Sequence, residues 1–214
     1  TGKTTTVLKL LALIQEQARA SGRRWPSKIV LLAPTGKAAA RLAESIAKGK
    51  SKIDAAPEII GAIPEVASTI HRALGYNPTR PTTFRRSREN PLPADIVVVD
   101  ESSMVDLALM TKLVEAVPDN ARLIILGDRD QLASVEAGAI LGDMCNVSGP
   151  GETAMSWRPE FDAMVSEVTG DPTVGQGQSG DPPIADCIVH LSTSFRFDAM
   201  SGIGALSRAI NRGA

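Results

Sequence analysis

The feature that most narrows the fold is the run Ile96, Val97, Val98, Val99, followed at once by Asp100 and Glu101. Four β-branched residues without alternation describe a strand buried on both faces, the pattern of a parallel sheet covered by helices. In open α/β sheets ligands bind outside the carboxyl ends of the strands, so two adjacent carboxylates there are placed for chemistry rather than solubility. Taken alone, the same residues also fit a strand ending in a solvated acidic turn. The rest of the chain decides between the two.

A length of 214 residues allows one substantial core, or one domain with part of another. The 43% apolar and 22% charged content is that of an ordinary soluble globular chain. No apolar run approaches the roughly 20 residues of a membrane span, and no basic segment, apolar stretch and cleavage site open the chain. A cytoplasmic protein without a membrane partner is expected. Cys145 and Cys187 lack CxxC or Cys/His metal spacing, so reduced, structural thiols are expected. A net charge of -1 carries no global signal for nucleic acid, but residues 66–88 hold Arg72, Arg80, Arg85, Arg86 and Arg88 with no acid among them. Aromatic content is only 3%, with Trp25, Trp157 and Tyr76 beside four Phe, and base stacking is assigned to none of them.

Residues 4–20 carry Val7, Leu8, Leu11 and Ile14 on one helical stripe. Thr1, Gly2, Lys3 and Thr4 open this helix and read as the end of G-x-x-x-x-G-K-[ST], whose first glycine would precede residue 1. An internal fragment is therefore expected. Free N–H groups and the helix dipole favour phosphate there, Lys3 can reach its oxygens, and the Thr4 hydroxyl can ligate Mg²⁺. With the Asp-Glu pair this supplies both sides of one Mg²⁺-nucleotide site.

Residues 28–33 (KIVLLA) predict a second buried strand, then Pro34, Thr35, Gly36 and a helix over 37–48. Residues 51–64 read as a connector. Ser68 or Thr69 caps a short helix containing His71, which by itself is a packed or surface histidine. Residues 76–93 read as an exposed basic loop, either a solvated face or a phosphate-backbone contact. An amphipathic helix is predicted over 106–117, and a strand over 122–126 that runs into Gly127, Asp128 and, shortly after, Gln131. That amide suits a residue that senses γ-phosphate or orients water. A short helix is predicted over 137–144. Residues 147–183 are rich in Gly, Pro, Ser and Thr and read as a mobile segment without chemistry. An apolar run at 184–191 and a helix over 203–211 close the chain.

Together these segments resemble the superfamily 1 DNA helicases and, within them, the RecD family of exodeoxyribonuclease V subunits. GKT at 2–4, APTGKAA at 33–39, STIHRALG at 68–75, DESSM at 100–104, GDRDQLASVEAG at 127–138 and LSTSFRF at 191–197 are similar to the family's motifs, in its order. GDRDQLASVEAG is the most specific. The resemblance implies an α/β fold: a RecA-like P-loop NTPase motor domain with a parallel sheet at 1–146, a flexible insertion at 147–187, and the start of a second RecA-like domain at 188–214. It implies ATP and Mg²⁺ as cofactors, with Thr1, Gly2, Lys3, Thr4 and Thr5 at the nucleotide and Thr4 and Asp100 on the metal. Glu101 would polarise the attacking water, Gln131 would couple phosphate state to the DNA path, and Arg196 would act as an arginine finger. Pro34, Thr35, Gly36, Thr69 and His71 would line the path of a single strand.

The implied activity is ATP-driven 5′-to-3′ translocation on DNA, beside RecB-like and RecC-like subunits, in double-strand break repair and recombination. Two departures stand out: the first half of the phosphate loop is absent, and nothing resembles the family's last two motifs. A stand-alone RecD-like helicase, an RNA-directed relative and a structural or regulatory subunit with incidental ATPase are the alternatives. Intact Lys3, Asp100, Glu101, Gln131 and Arg196 argue against the last. A metabolic P-loop kinase explains neither GDRDQ nor APTGKAA.

Overall fold

The computed structural model describes residues 2–22, 25–128, 140–145, 157–170 and 181–191. Its contacts divide the chain into two compact units, Gly2–Gly138 and Ala139–Ala214.

The first unit is built on a four-stranded, fully parallel sheet. Its strands are β1 (Ile29–Ala33), β2 (Ala67–Thr69), β5 (Ile96–Val99) and β6 (Arg122–Ile125), in the order β2-β1-β5-β6. Register runs Ile29 to Ile96 and Leu32 to Val99 across β1 and β5, and Val99 to Ile125 across β5 and β6. All four residues of β5 are buried, as its unalternating sequence predicts. One face of the sheet, through Ile29, Leu31, Ile96 and Val98, packs on α1 (Lys3–Ala20), α2 (Gly36–Lys50) and α3 (Pro57–Ala62). Val7, Leu8, Leu11 and Ile14 form the buried stripe of α1, at the spacing the sequence predicts. The alternate residues Leu32, Val97 and Val99 are also fully buried and point to the other face. There α4 (Ile70–Leu74) lies against β1, and α5 (Leu107–Ala116) against α4. This is the predicted α/β architecture.

Three segments differ from their sequence reading. Residues 51–64 are more than a connector: they form α3, whose Ile59 and the following Ile63 are each 1% exposed and complete the core. Residues 76–93 are not simply a loop, because they contain an antiparallel hairpin of β3 (Tyr76–Asn77) and β4 (Arg80–Phe84). An irregularity in pairing at Tyr76 and Asn77 breaks the two-residue period by which a strand is recognised.

The third difference lies in the second unit, where residues 147–187 contain α7 (Pro159–Thr169) and a 3₁₀ turn, Pro183–Cys187. The helix has the usual end signals: Pro in its first turn, Glu160 and Asp162 near its start, and Gly170 in the left-handed conformation after it. Its flanking segments tie together. Trp157 donates its indole N–H to the Ile188 carbonyl at 3.0 Å, and the Arg158 amide and guanidinium both donate to the Asp186 carboxylate. The helix α6 (Ile140–Cys145) is also described in this unit. Neither Cys145 nor Cys187 is in a disulfide, and Cys187 is exposed rather than part of a core. Among the described residues no helix is long and apolar enough to cross a membrane. The helix predicted at 203–211 lies outside the described residues.

Candidate functional site

Parallel strands deliver their following loops to one edge of the sheet. The carboxyl ends of β1, β2, β5 and β6 therefore bring Pro34 and Thr35, Thr69, Asp100 and Glu101, and Gly127 and Asp128 to that edge. The position of α1 follows from its carboxyl end. Residues 21–28 join the carboxyl end of α1 to the amino end of β1. Consistently, Ile14, Ala18 and Ser21 share a cleft of about 670 Å³ with Ser27, Asp95 and Arg122, at the amino ends of the strands. Eighteen helical residues span about 27 Å, more than the roughly 17 Å of β1, so α1 is long enough to carry Lys3 and Thr4 to the far edge.

Gly2 caps α1 with φ 117°, a conformation that favours glycine, and among the described residues no side chain bonds to the first-turn N–H groups. Lys3 and Thr4 are half-buried and Thr5 is exposed. An uncapped helix amino terminus carrying Lys and Thr fits a phosphate group. Among the described residues no group of three or more His, Cys, Asp or Glu could form a metal cage. A cation shared between Thr4, Asp100 and phosphate oxygens matches the way Mg²⁺ is held, by few protein ligands plus substrate.

The acidic turn is strained. On one side the Asp100 amide donates to the Leu32 carbonyl at 2.9 Å, and on the other the Ser102 amide donates to the Leu126 carbonyl at 2.9 Å. Between these anchors Glu101 adopts φ 53°, ψ 41°, the one positive φ at a non-glycine position among the described residues. This conformation costs about 1–2 kcal/mol for an L residue and persists because both flanks are bonded to neighbouring strands. Asp100 Oδ1 accepts the Glu101 amide at 3.0 Å. Ser102, 1% exposed, has a buried hydroxyl without a hydrogen-bond partner in the structure. Neither the turn conformation nor this hydroxyl has a local sequence signal.

At the ends of β1 and β2 two threonines cap helices. Thr35 Oγ1 accepts the Ala38 amide and Thr69 Oγ1 accepts the Arg72 amide, each at 3.2 Å. Each hydroxyl keeps its proton available for donation. Pro34 is half-buried and Gly36 is exposed in the first turn of α2. His71 is exposed on α4, yet its ring is packed: it meets Tyr76 edge-on at 5.4 Å and Phe84 at 6.1 Å. The hairpin is fastened to α4 through the Arg86 amide, which donates to the Leu74 carbonyl at 3.0 Å. Gly75, at φ 74°, permits this approach, since a Cβ there would lie 2.8 Å from Arg85 Cβ. Glu89, the first acid after the basic run, has its carboxyl held below the usual range by the Ser87 hydroxyl, then by its backbone, despite partial desolvation.

Thus Pro34, Thr35, Gly36, Thr69, Asp100 and Glu101 belong to one edge of one sheet, with His71 on the helix that follows β2; Gly2, Lys3, Thr4 and Thr5 stand at the amino terminus of α1, which is long enough to reach that edge. Thr1, Gln131 and Arg196 lie outside the described residues.

Residues 1–137 match the family model described as an AAA domain. The fold is that of a P-loop, RecA-like domain, a class that uses nucleotide. The RecBCD enzyme subunit RecD of Haemophilus influenzae is 44% identical over the whole chain, which covers 32% of that protein. The RecD of Mycobacterium tuberculosis is 54% identical over 67% of the chain, covering 24% of its own length. The ATP-dependent RecD2 DNA helicase of Deinococcus radiodurans is 39% identical over 64% of the chain and 15% of its own. The chain belongs to the RecD family and spans about a third or less of these relatives.

Proposed function

We propose that the chain forms the first motor domain of an ATP-driven, RecD-like 5′-to-3′ DNA helicase subunit, working with RecB-like and RecC-like partners in double-strand break repair and recombination. The observation that carries this reading is the arrival of the Asp100-Glu101 turn and the Pro34, Thr35 and Thr69 loops at one sheet edge, toward which the length of α1 directs its amino terminus. Lys3 binds phosphate charge, and Thr4 and Asp100 hold Mg²⁺, which when bound neutralises charge on the β and γ oxygens. Glu101 takes a proton from the attacking water, its carboxylate fixed by a turn that both neighbouring strands hold. Gln131 relays phosphate state toward the strand path, and Arg196, from the proposed second domain opening at 188, stabilises charge as that domain closes.

The test is ATP hydrolysis by the full-length protein with and without single-stranded DNA, with Lys3→Gln as control. DNA-stimulated hydrolysis that Lys3→Gln removes is expected. DNA-independent hydrolysis, or none even with partner subunits added, would overturn the motor reading and favour a structural subunit.

A further inference from the structure

The hairpin places aromatic rings where the sequence offers few. Tyr76 is 39% exposed, and its ring is buttressed by His71 edge-on at 5.4 Å and by Phe84 at 6.0 Å. A surface cluster of three rings has no need of such exposure for packing alone. The hairpin itself is stiff: Asn77 Oδ1 accepts from the Thr79 amide and hydroxyl at 3.0 and 2.8 Å, and Arg86 bonds to Asn90 and the Pro91 carbonyl. Meanwhile Arg72, on α4, and Arg80, Arg85 and Arg88, in and just after β4, are all exposed, with no acid from 66 to 88. An exposed aromatic face on a hydrogen-bonded hairpin, in a segment whose exposed charges are all cationic from 66 to 88, fits stacked bases with a phosphate backbone running past them.

We infer that Tyr76, held by His71 and Phe84, is a stacking platform for a base of single-stranded DNA, and that Arg72 and Arg85 accompany it as phosphate contacts. The inference rests on the proposed DNA-binding function and adds a base contact to a path otherwise argued from backbone contacts. Stacking does not distinguish bases strongly, so the platform serves grip rather than sequence readout.

Binding of the full-length protein to fluorescent oligo-dT and to an abasic strand of equal length separates the two kinds of contact. Tyr76→Ala is expected to weaken oligo-dT binding about tenfold and leave the abasic strand unchanged, whereas Tyr76→Phe keeps both. Tyr76→Trp, which retains a ring, should show indole quenching with oligo-dT and not with the abasic strand. Equal loss on both strands, or no loss on either, would overturn the stacking role. If the unsubstituted protein binds neither strand, the DNA-binding function fails, and the stacking platform with it.

Discussion

The two edges of the parallel sheet use polar groups differently. At the amino edge most are satisfied by one another, the buried indole N–H of Trp25 being the exception. Gln15, fully buried, donates to the Ser27 carbonyl at 2.8 Å and accepts the Ser27 amide at 3.0 Å, and Asp95 accepts the Lys28 amide at 2.7 Å. At the carboxyl edge the Glu101 backbone is strained and the Ser102 hydroxyl is buried without a partner, and among the described residues the first turn of α1 has no capping side chain. One edge is arranged for stability; the other keeps binding capacity at some expense of it. If that contrast is right, substitutions at the two edges should separate activity from stability.

The largest effect should come from Glu101→Gln. Removing a general base slows hydrolysis by about 10²–10⁴-fold while folding and ATP binding persist. Steady-state ATPase assays beside nucleotide-binding titrations check this; a variant retaining near-normal turnover would remove Glu101 from the chemistry. The opposite pattern belongs to Gln15→Leu. It deletes two buried hydrogen bonds and leaves the Ser27 amide and carbonyl without this partner, at a total of about 3 kcal/mol. Urea unfolding should show that loss, with turnover per folded molecule unchanged. Lost turnover at full stability would break the comparison.

A smaller effect probes the strain itself. Glycine at position 101 relieves a penalty of about 1–2 kcal/mol and introduces a backbone entropy cost of about 0.5–1 kcal/mol. Glu101→Gly should therefore be more stable by about 0.5–1 kcal/mol, and inactive in hydrolysis. A denaturation midpoint below that of the parent protein would mean that the carboxylate, not the anchored backbone, stabilises the turn.

What could be read in advance follows the same physics. The buried strand at 96–99 and the stripe of α1 were legible because one periodicity decides each of them. The place of the Asp-Glu pair at the sheet's carboxyl edge was legible because its strand ends there. The conformation of Glu101 was not, since it is imposed by the Leu32 and Leu126 carbonyls, which are distant in sequence. The hairpin was hidden by its short, irregular β3, and its aromatic cluster forms only once Tyr76, Phe84 and His71 are brought together. In α7 the end signals were present at Pro159 and Gly170, masked by the surrounding Gly- and Pro-rich composition.

A carboxylate outside this sheet sharpens the contrast with the smallest expected effect. The Asp186 side chain is 9% exposed and accepts the Arg158 amide at 2.9 Å and its Nε at 2.8 Å. The Arg158 guanidinium holds that carboxyl below the ordinary range, more strongly than desolvation raises it. A carboxyl with a depressed folded-state value contributes stability that is complete above its unfolded value, about pH 4, and is lost as pH falls through the lowered one. Trp157, whose indole bonds to Ile188 beside this pair, reports the local structure by fluorescence. Below about pH 4 the unsubstituted protein should lose this signal more steeply than Asp186→Asn, which has no proton to take up at that position. Identical acid limbs would mean that Asp186 is no more tightly held in the folded chain than in the unfolded one, and that satisfied hydrogen bonding alone does not mark a stabilising site in this protein.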